Sequence, residues 1–124
     1  MNPTHPKHEP LRVGPTKLLP AGVIRFQEYP SGEIGIEVIT DARRRHCYVA
    51  TVSLVPYGSP YPGAGGVWLK GWSENEGVPQ ALELAGVVRL TGRTHPSGFV
   101  IADHGELTER ALQVRDHQLQ QRKR

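Results

Sequence analysis

Apolar and polar residues alternate along much of the middle of the chain. From Val23 to Tyr29 the apolar positions centre on Ile24 and Phe26. From Glu33 to Thr40, Ile34, Ile36 and Val38 share one side, and Glu33, Gly35 and Glu37 the other. A period of two marks a half-buried strand. Pro30-Ser31-Gly32 between the runs supplies turn chemistry, so the two predict a β-hairpin. Asp41 to Arg45 reads as a polar turn, and Cys47 to Val55 as a third strand with Tyr48, Ala50, Val52 and Leu54 on one face. Connections this short predict an antiparallel meander. Val67 to Trp72 reads as a fourth strand, and Val87–Thr91 and Gly98–Ala102 as two more, joined by a reversal at Gly-Arg-Thr-His-Pro-Ser-Gly.

The period changes twice. Val78, Ala81, Leu82 and Ala85 recur at helical spacing, with Gly86 as the stop. Ser73 and Glu76 have the spacing of a capping box, but a start there puts Pro79 in the second turn, where it removes a backbone bond. A later start, capped by Asn75 or Gly77, puts it in the first turn. Leu107, Ala111 and Val114 predict a C-terminal helix, with Asp103 to Glu106 resembling its cap. The fold expected is α+β: one antiparallel sheet of five to six strands, one short helix and a C-terminal helix. Residues 1–20, with Pro at 3, 6, 10, 15 and 20, form a Pro-rich arm expected to be extended and largely disordered. Leu11, Val13, Leu18 and Leu19 would let part of it lie along the fold. Residues 21–106 make a single domain, and 107–124 a basic helix and tail.

At 124 residues, with 14 Gly and 11 Pro, the chain holds one small core. No apolar run approaches the length of a membrane span, and the first ten residues have no secretory apolar stretch. With a single cysteine, Cys47, a cytoplasmic protein without disulfides is expected. The net charge of +3 is unevenly placed: residues 21–106 carry seven basic and nine acidic residues, so the basic excess lies at the two ends. The exception is Arg43-Arg44-Arg45.

Candidate chemistry is sparse. Cys47 follows His46, but neighbours on a strand point to opposite faces. The histidines have no zinc-site spacing, and no phosphate loop, dinucleotide fingerprint or serine elbow is present. No cofactor or metal is therefore expected. Glu74 and Glu76 flank Asn75, where acidic groups suit a helix start or an exposed binding surface. Trp68 and Trp72 share one face with Lys70. If that face is core they pack; if it is open they form a binding patch. Tyr57 and Tyr61 lie in the loop 56–66, whose length and composition suit a functional or mobile segment.

From Tyr29 to about Ala102 the chain resembles a family of small proteins encoded on plasmids, phages and integrative conjugative elements of bacteria. The resemblance rests on Tyr29 and Gly32, on Tyr48 to Leu54, and above all on Val-Trp-Leu-Lys-Gly-Trp-Ser-Glu-Asn-Glu-Gly at 67–77, close to the family's I-K-D-W-S-E-N-E-G. Gly71 where the family often has Asp, the 56–66 insertion and Pro79 depart from the pattern. The resemblance implies an accessory protein of a mobile element. By analogy it implies one that acts by binding a host or defence-system complex, as an anti-CRISPR or anti-restriction inhibitor does. The function expected is thus a non-enzymatic protein-binding module, a monomer or small homo-oligomer with no membrane partner. Its surface would comprise Tyr57, Tyr61, Trp68, Trp72, Glu74, Asn75 and Glu76. The alternative is nucleic-acid binding through Arg43, Arg44, Arg45, Arg122, Lys123 and Arg124.

Overall fold

The computed structural model describes residues 9–41, 43 and 45–122. Seven strands and two α-helices form an α+β fold: β1 (Arg12–Val13), β2 (Gly22–Glu28), β3 (Ile34–Ile39), β4 (Cys47–Val49), β5 (Gly66–Leu69), α1 (Val78–Leu84), β6 (Val88–Ser97), β7 (Val100–Leu107) and α2 (Glu109–Arg122). The strands build two antiparallel sheets, β1-β2-β3-β4 and β5-β7-β6, where one sheet of five to six strands was expected.

The division arises at Ala50–Thr51. Cys47 to Val49 pair with β3, and Ala50 still donates its N–H to Ile36 O at 2.8 Å. The chain then turns to β5: Lys70 N–H donates to Ala50 O at 2.8 Å and Val52 N–H to Trp68 O at 3.0 Å. Where the sheets part, the Thr51 hydroxyl accepts the Ile36 N–H at 3.0 Å in place of a backbone carbonyl. The expected strand over 47–55 is thus shared between two sheets and ends early in each.

The β2–β3 hairpin and its turn are as the alternation predicts, with Ile24, Phe26, Ile36 and Val38 fully buried. Helix α1 takes the later of the two expected starts. Gly77 is its N-cap, Pro79 lies in the first turn, and Ser73 makes no capping bond. The Gly-Arg-Thr-His-Pro-Ser-Gly segment is not a link. It continues β6 through a bulge between Leu90 and Thr94, and the reversal is the two-residue turn Gly98–Phe99, with Gly98 at φ 64°. Pro96 is tolerated because β6 is an edge strand. Asp103 to Glu106 is not a helix cap either, because β7 is paired on both sides through Leu107. Thr108 caps α2 instead: its hydroxyl accepts the Ala111 N–H at 3.2 Å and donates to Gly86 O at 2.7 Å.

Part of the arm and all the described C-terminal helix belong to the folded body. Leu11 and Val13 are buried, and β1 pairs with β2. From α2, Ala111 and Val114 enter the core. Beyond β1 the open edge of β2 is completed by side chains from α2. The Gln118 amide accepts the Phe26 N–H at 2.7 Å and donates to Ile24 O at 3.3 Å, and Arg122 donates to Phe26 O. An amide offering both a donor and an acceptor extends the ladder and removes an edge that would otherwise pair with another chain.

Candidate binding site

Around β5 the second sheet is covered on both faces. Val67, Leu69, Val88 and Leu107 face the main core. Trp68, Ala102 and His104 face the other way, into a smaller cluster closed by Leu54 and flanked by Val52 and Trp72. Trp68 is 2% exposed, so it is core and not patch. Its ring meets His104 at 5.1 Å and His95 at 5.6 Å, and the Arg93 guanidinium stands 5.9 Å from the ring centre. Among the described residues its buried indole N–H has no acceptor.

His104 is buried with both ring nitrogens engaged. Nε2 lies 2.8 Å from Pro62 O, which only accepts, so Nε2 carries the hydrogen. Nδ1 lies 2.8 Å from the Thr91 hydroxyl. This pins the loop above. Gly66 is required there because a Cβ would fall 1.9 Å from Pro62 O. Leu107 N–H to Gly65 O at 2.7 Å and Arg115 to Ala64 O at 3.1 Å hold the rest, so the Gly/Pro segment is a fastened cover.

A buried carboxylate fastens the near end of this loop. Glu33 Oε1 accepts from Ser53 Oγ at 2.6 Å, Ser31 Oγ at 2.7 Å and Val55 N–H at 3.2 Å, while Oε2 accepts from Leu54 N–H at 3.3 Å. A carboxyl group is tolerated in the interior where its oxygens are hydrogen-bonded in this way. The Ser31–Glu33 turn thus sets where the short 3-10 turn Val55–Tyr57 begins and where Tyr57 projects.

Between that turn and the end of the β6–β7 hairpin lies a cleft of about 310 Å³, lined by Val52, Leu54, Tyr57 and His95 to Gly98. Tyr57 is 85% exposed, Phe99 at the hairpin tip is fully exposed, and Ile101 is exposed. Sequence reasoning missed Phe99 and His95. In the sequence Phe99 reads as the second residue of a strand, where an aromatic is ordinary, and only the pairing of Ser97 with Val100 puts it in the turn.

The seven residues expected to form one surface do not. Trp68 and Asn75 are buried. Asn75 donates to Val49 O at 2.9 Å, holding the 73–75 turn in which Ser73 has φ 54°. Trp72 packs on the Trp68 cluster. Tyr61 lines a different cleft, with Arg115 and Leu119. Glu74 and Glu76 are exposed on either side of Asn75. Only Tyr57 lines the 310 Å³ cleft.

Of the cationic candidates, Arg43 and Arg45 are exposed. Arg122 is exposed, with one nitrogen on the Phe26 carbonyl. Arg44, Lys123 and Arg124 lie outside the described residues. Cys47 and His46 form no catalytic pair. The thiol faces Glu37 at 3.3 Å, and that carboxylate holds its pKa above the ordinary range, the reverse of what a nucleophile needs. His46 lies 3.0 Å from Asp41, whose pKa is lowered by the Arg43 N–H and then by His46. Among the described residues no three His, Cys, Asp or Glu side chains gather as a metal site, and no helix is long and apolar enough to cross a membrane.

The chain is therefore an α+β protein of two antiparallel sheets whose second sheet carries an open cleft on the face turned away from the main core. It matches no protein-family model, no curated protein and no solved structure.

Proposed function

We propose that this protein is a non-enzymatic binding module that docks a partner protein at the Tyr57–Phe99 cleft. The observation that carries the reading is the exposure of Tyr57 in the lining of a preformed cleft and of Phe99 next to its Gly98 wall, in a chain with only eight aromatic Trp, Tyr and Phe residues. Exposed aromatic anchors beside a pocket are how interfaces concentrate their binding energy. The occupant is an apolar side chain flanked by a carboxylate. Val52 and Leu54 supply apolar walls, and among the described residues Arg93 has no carboxylate partner. The setting is the one the resemblance over Tyr29–Ala102 implies, an accessory protein of a mobile element whose partner belongs to a host or defence complex.

The test replaces Phe99 with photoreactive benzoylphenylalanine in the full chain, expressed in bacterial cells and treated with nuclease. Leu84, 91% exposed at the end of α1, receives the same label as a control. One dominant protein adduct is expected from position 99 and none from 84, and Tyr57→Ala should reduce it at least about tenfold. Equal labelling from both positions, or none from 99, would sink the reading.

A further inference from the structure

Cations scattered along the sequence come together on the outer face of the first sheet. Across that sheet Arg12 stands opposite Val23, Val23 opposite Ile39, and Ile39 opposite Cys47. Val13, Ile24 and Val38 point into the core, so this row points out. Arg25, two residues beyond Val23, shares the outward side. Two clefts meet along the row. The first, about 500 Å³, is lined by Arg12 and reaches Asp41; the second, about 410 Å³, is lined by Arg25, His117 and Arg122; Val23 and Ile39 line both. The turn after Asp41 adds exposed Arg43 and Arg45.

The nearby acidic groups are already engaged. Glu37 accepts from Gln27 and Cys47 and lies 3.9 Å from Arg25. Asp41 holds His46 and the Arg43 N–H. Glu9, next to Pro10 of the second cleft, and His117 each have partners of their own. The side chains of Arg12, Arg43 and Arg45 make no hydrogen bond or ion pair among the described residues. Arg122 has its pKa lowered by burial and then by Arg25, with Glu37 opposing in part, so two guanidiniums that line one cleft repel each other. An anion between them would relieve that repulsion.

We propose that this face binds the phosphate backbone of a nucleic-acid duplex without reading its bases. The arginines come from β1, β2, the turn between β3 and β4, and the end of α2, a spread that suits a row of phosphates better than one small anion. Neither cleft has a Trp, Tyr or Phe in its lining, so the stacking platform that holds single strands is absent from them. The face uses none of the residues of the Tyr57–Phe99 cleft, and each proposal can fail alone.

The full-length protein is titrated into a fluorescein-labelled 20-base-pair DNA duplex, with an RNA duplex, the single strand of the same sequence, and 3:1 phosphatidylcholine–phosphatidylserine vesicles as parallel arms. Duplex binding of about 1–100 μM is expected at low salt, with log K falling linearly against log salt at a slope of about −3 to −5. The double variant Arg12→Glu, Arg45→Glu, at two exposed and unpartnered positions, should weaken binding at least about tenfold and flatten the slope, with an unchanged circular dichroism spectrum. Arg89→Glu, exposed on β6 of the second sheet and outside both clefts, should leave duplex binding unchanged. No duplex binding at about 50 mM KCl, full binding by the double variant, tighter binding of the single strand, or equal affinity for the vesicles would each overturn the proposal. Preference between the DNA and RNA duplexes identifies the source of the backbone.

Discussion

The two faces of the second sheet make a useful contrast. One packs into a core of aliphatic residues, Val67, Leu69, Val88 and Leu107 among them, sealed by Ala111 and Val114 of α2. The other carries one large ring, Trp68, among His95, His104 and Arg93, and opens to solvent at the cleft. In the first arrangement the fully buried side chains are apolar, the state in which burial stabilises most, and the partly buried Tyr48 at its margin keeps a hydroxyl without a partner among the described residues. The second contains a buried indole N–H with no acceptor among the described residues and a histidine that needs two partners. The same strands thus divide stability and recognition between their two sides.

The contrast can be broken by truncating each side. Phe26→Ala in the main core should cost about 3–5 kcal/mol in urea unfolding, because a sealed site collapses poorly around a cavity. Trp68→Phe should cost less, about 1–2 kcal/mol, since losing ring volume is partly offset by removing the unpaired N–H. A larger loss from Trp68→Phe than from Phe26→Ala would show that the small cluster is the principal core.

Next in size is the carboxylate that anchors the cleft. Glu33→Ala leaves two serine hydroxyls and the N–H groups of Leu54 and Val55 without their shared acceptor, and should cost about 2–3 kcal/mol. Hydrogen exchange should quicken at residues 53–57 well before it does in β2 and β3. Exchange that rises equally in both regions would mean that Glu33 supports the whole fold and not the loop.

The smallest stability effects are expected where the recognition reading places the most function. Tyr57→Ala and Phe99→Ala should each change unfolding free energy by less than about 0.5 kcal/mol, because both rings are already in water. A loss above about 1 kcal/mol from either would make that ring part of the packing and weaken its role as an anchor.

The parts legible from sequence are those where one face is wet. In β2 and β3 the outward positions are polar enough for the period of two to show, and the hairpin follows with its turn. The later start of α1 was also open to local reasoning, because Pro79 is tolerated in a first turn and costly in a second. Trp68 was not legible. Both faces of β5 are covered, all four of its residues are buried, and alternation cannot then say which face meets solvent. His104 was hidden for a related reason: its partners, Thr91 and Pro62, stand 13 and 42 residues away.

The two misread ends of the β6–β7 hairpin teach the same point. Gly92, Pro96 and Gly98 look like a loop, and Asp103 with Glu106 looks like a helix cap. Both local signals gave way to pairing, since β7 is bonded on both sides and β6 absorbs its irregularity as a bulge. Composition likewise placed the basic charge at the chain ends. Yet Arg12, Arg25 and Arg122, 110 residues apart at the extremes, line two adjoining clefts.

By itself the sequence determined the strands with one wet face, the proline-limited start of α1 and the small size of the core, because these follow from backbone sterics and from which residues leave water. Only the tertiary structure decided that Thr51 divides the strands into two sheets, that Trp68 lies inside while Tyr57 and Phe99 stand out, and that distant arginines share a face. Each of these depends on which segments meet across the fold, and no local pattern encodes that.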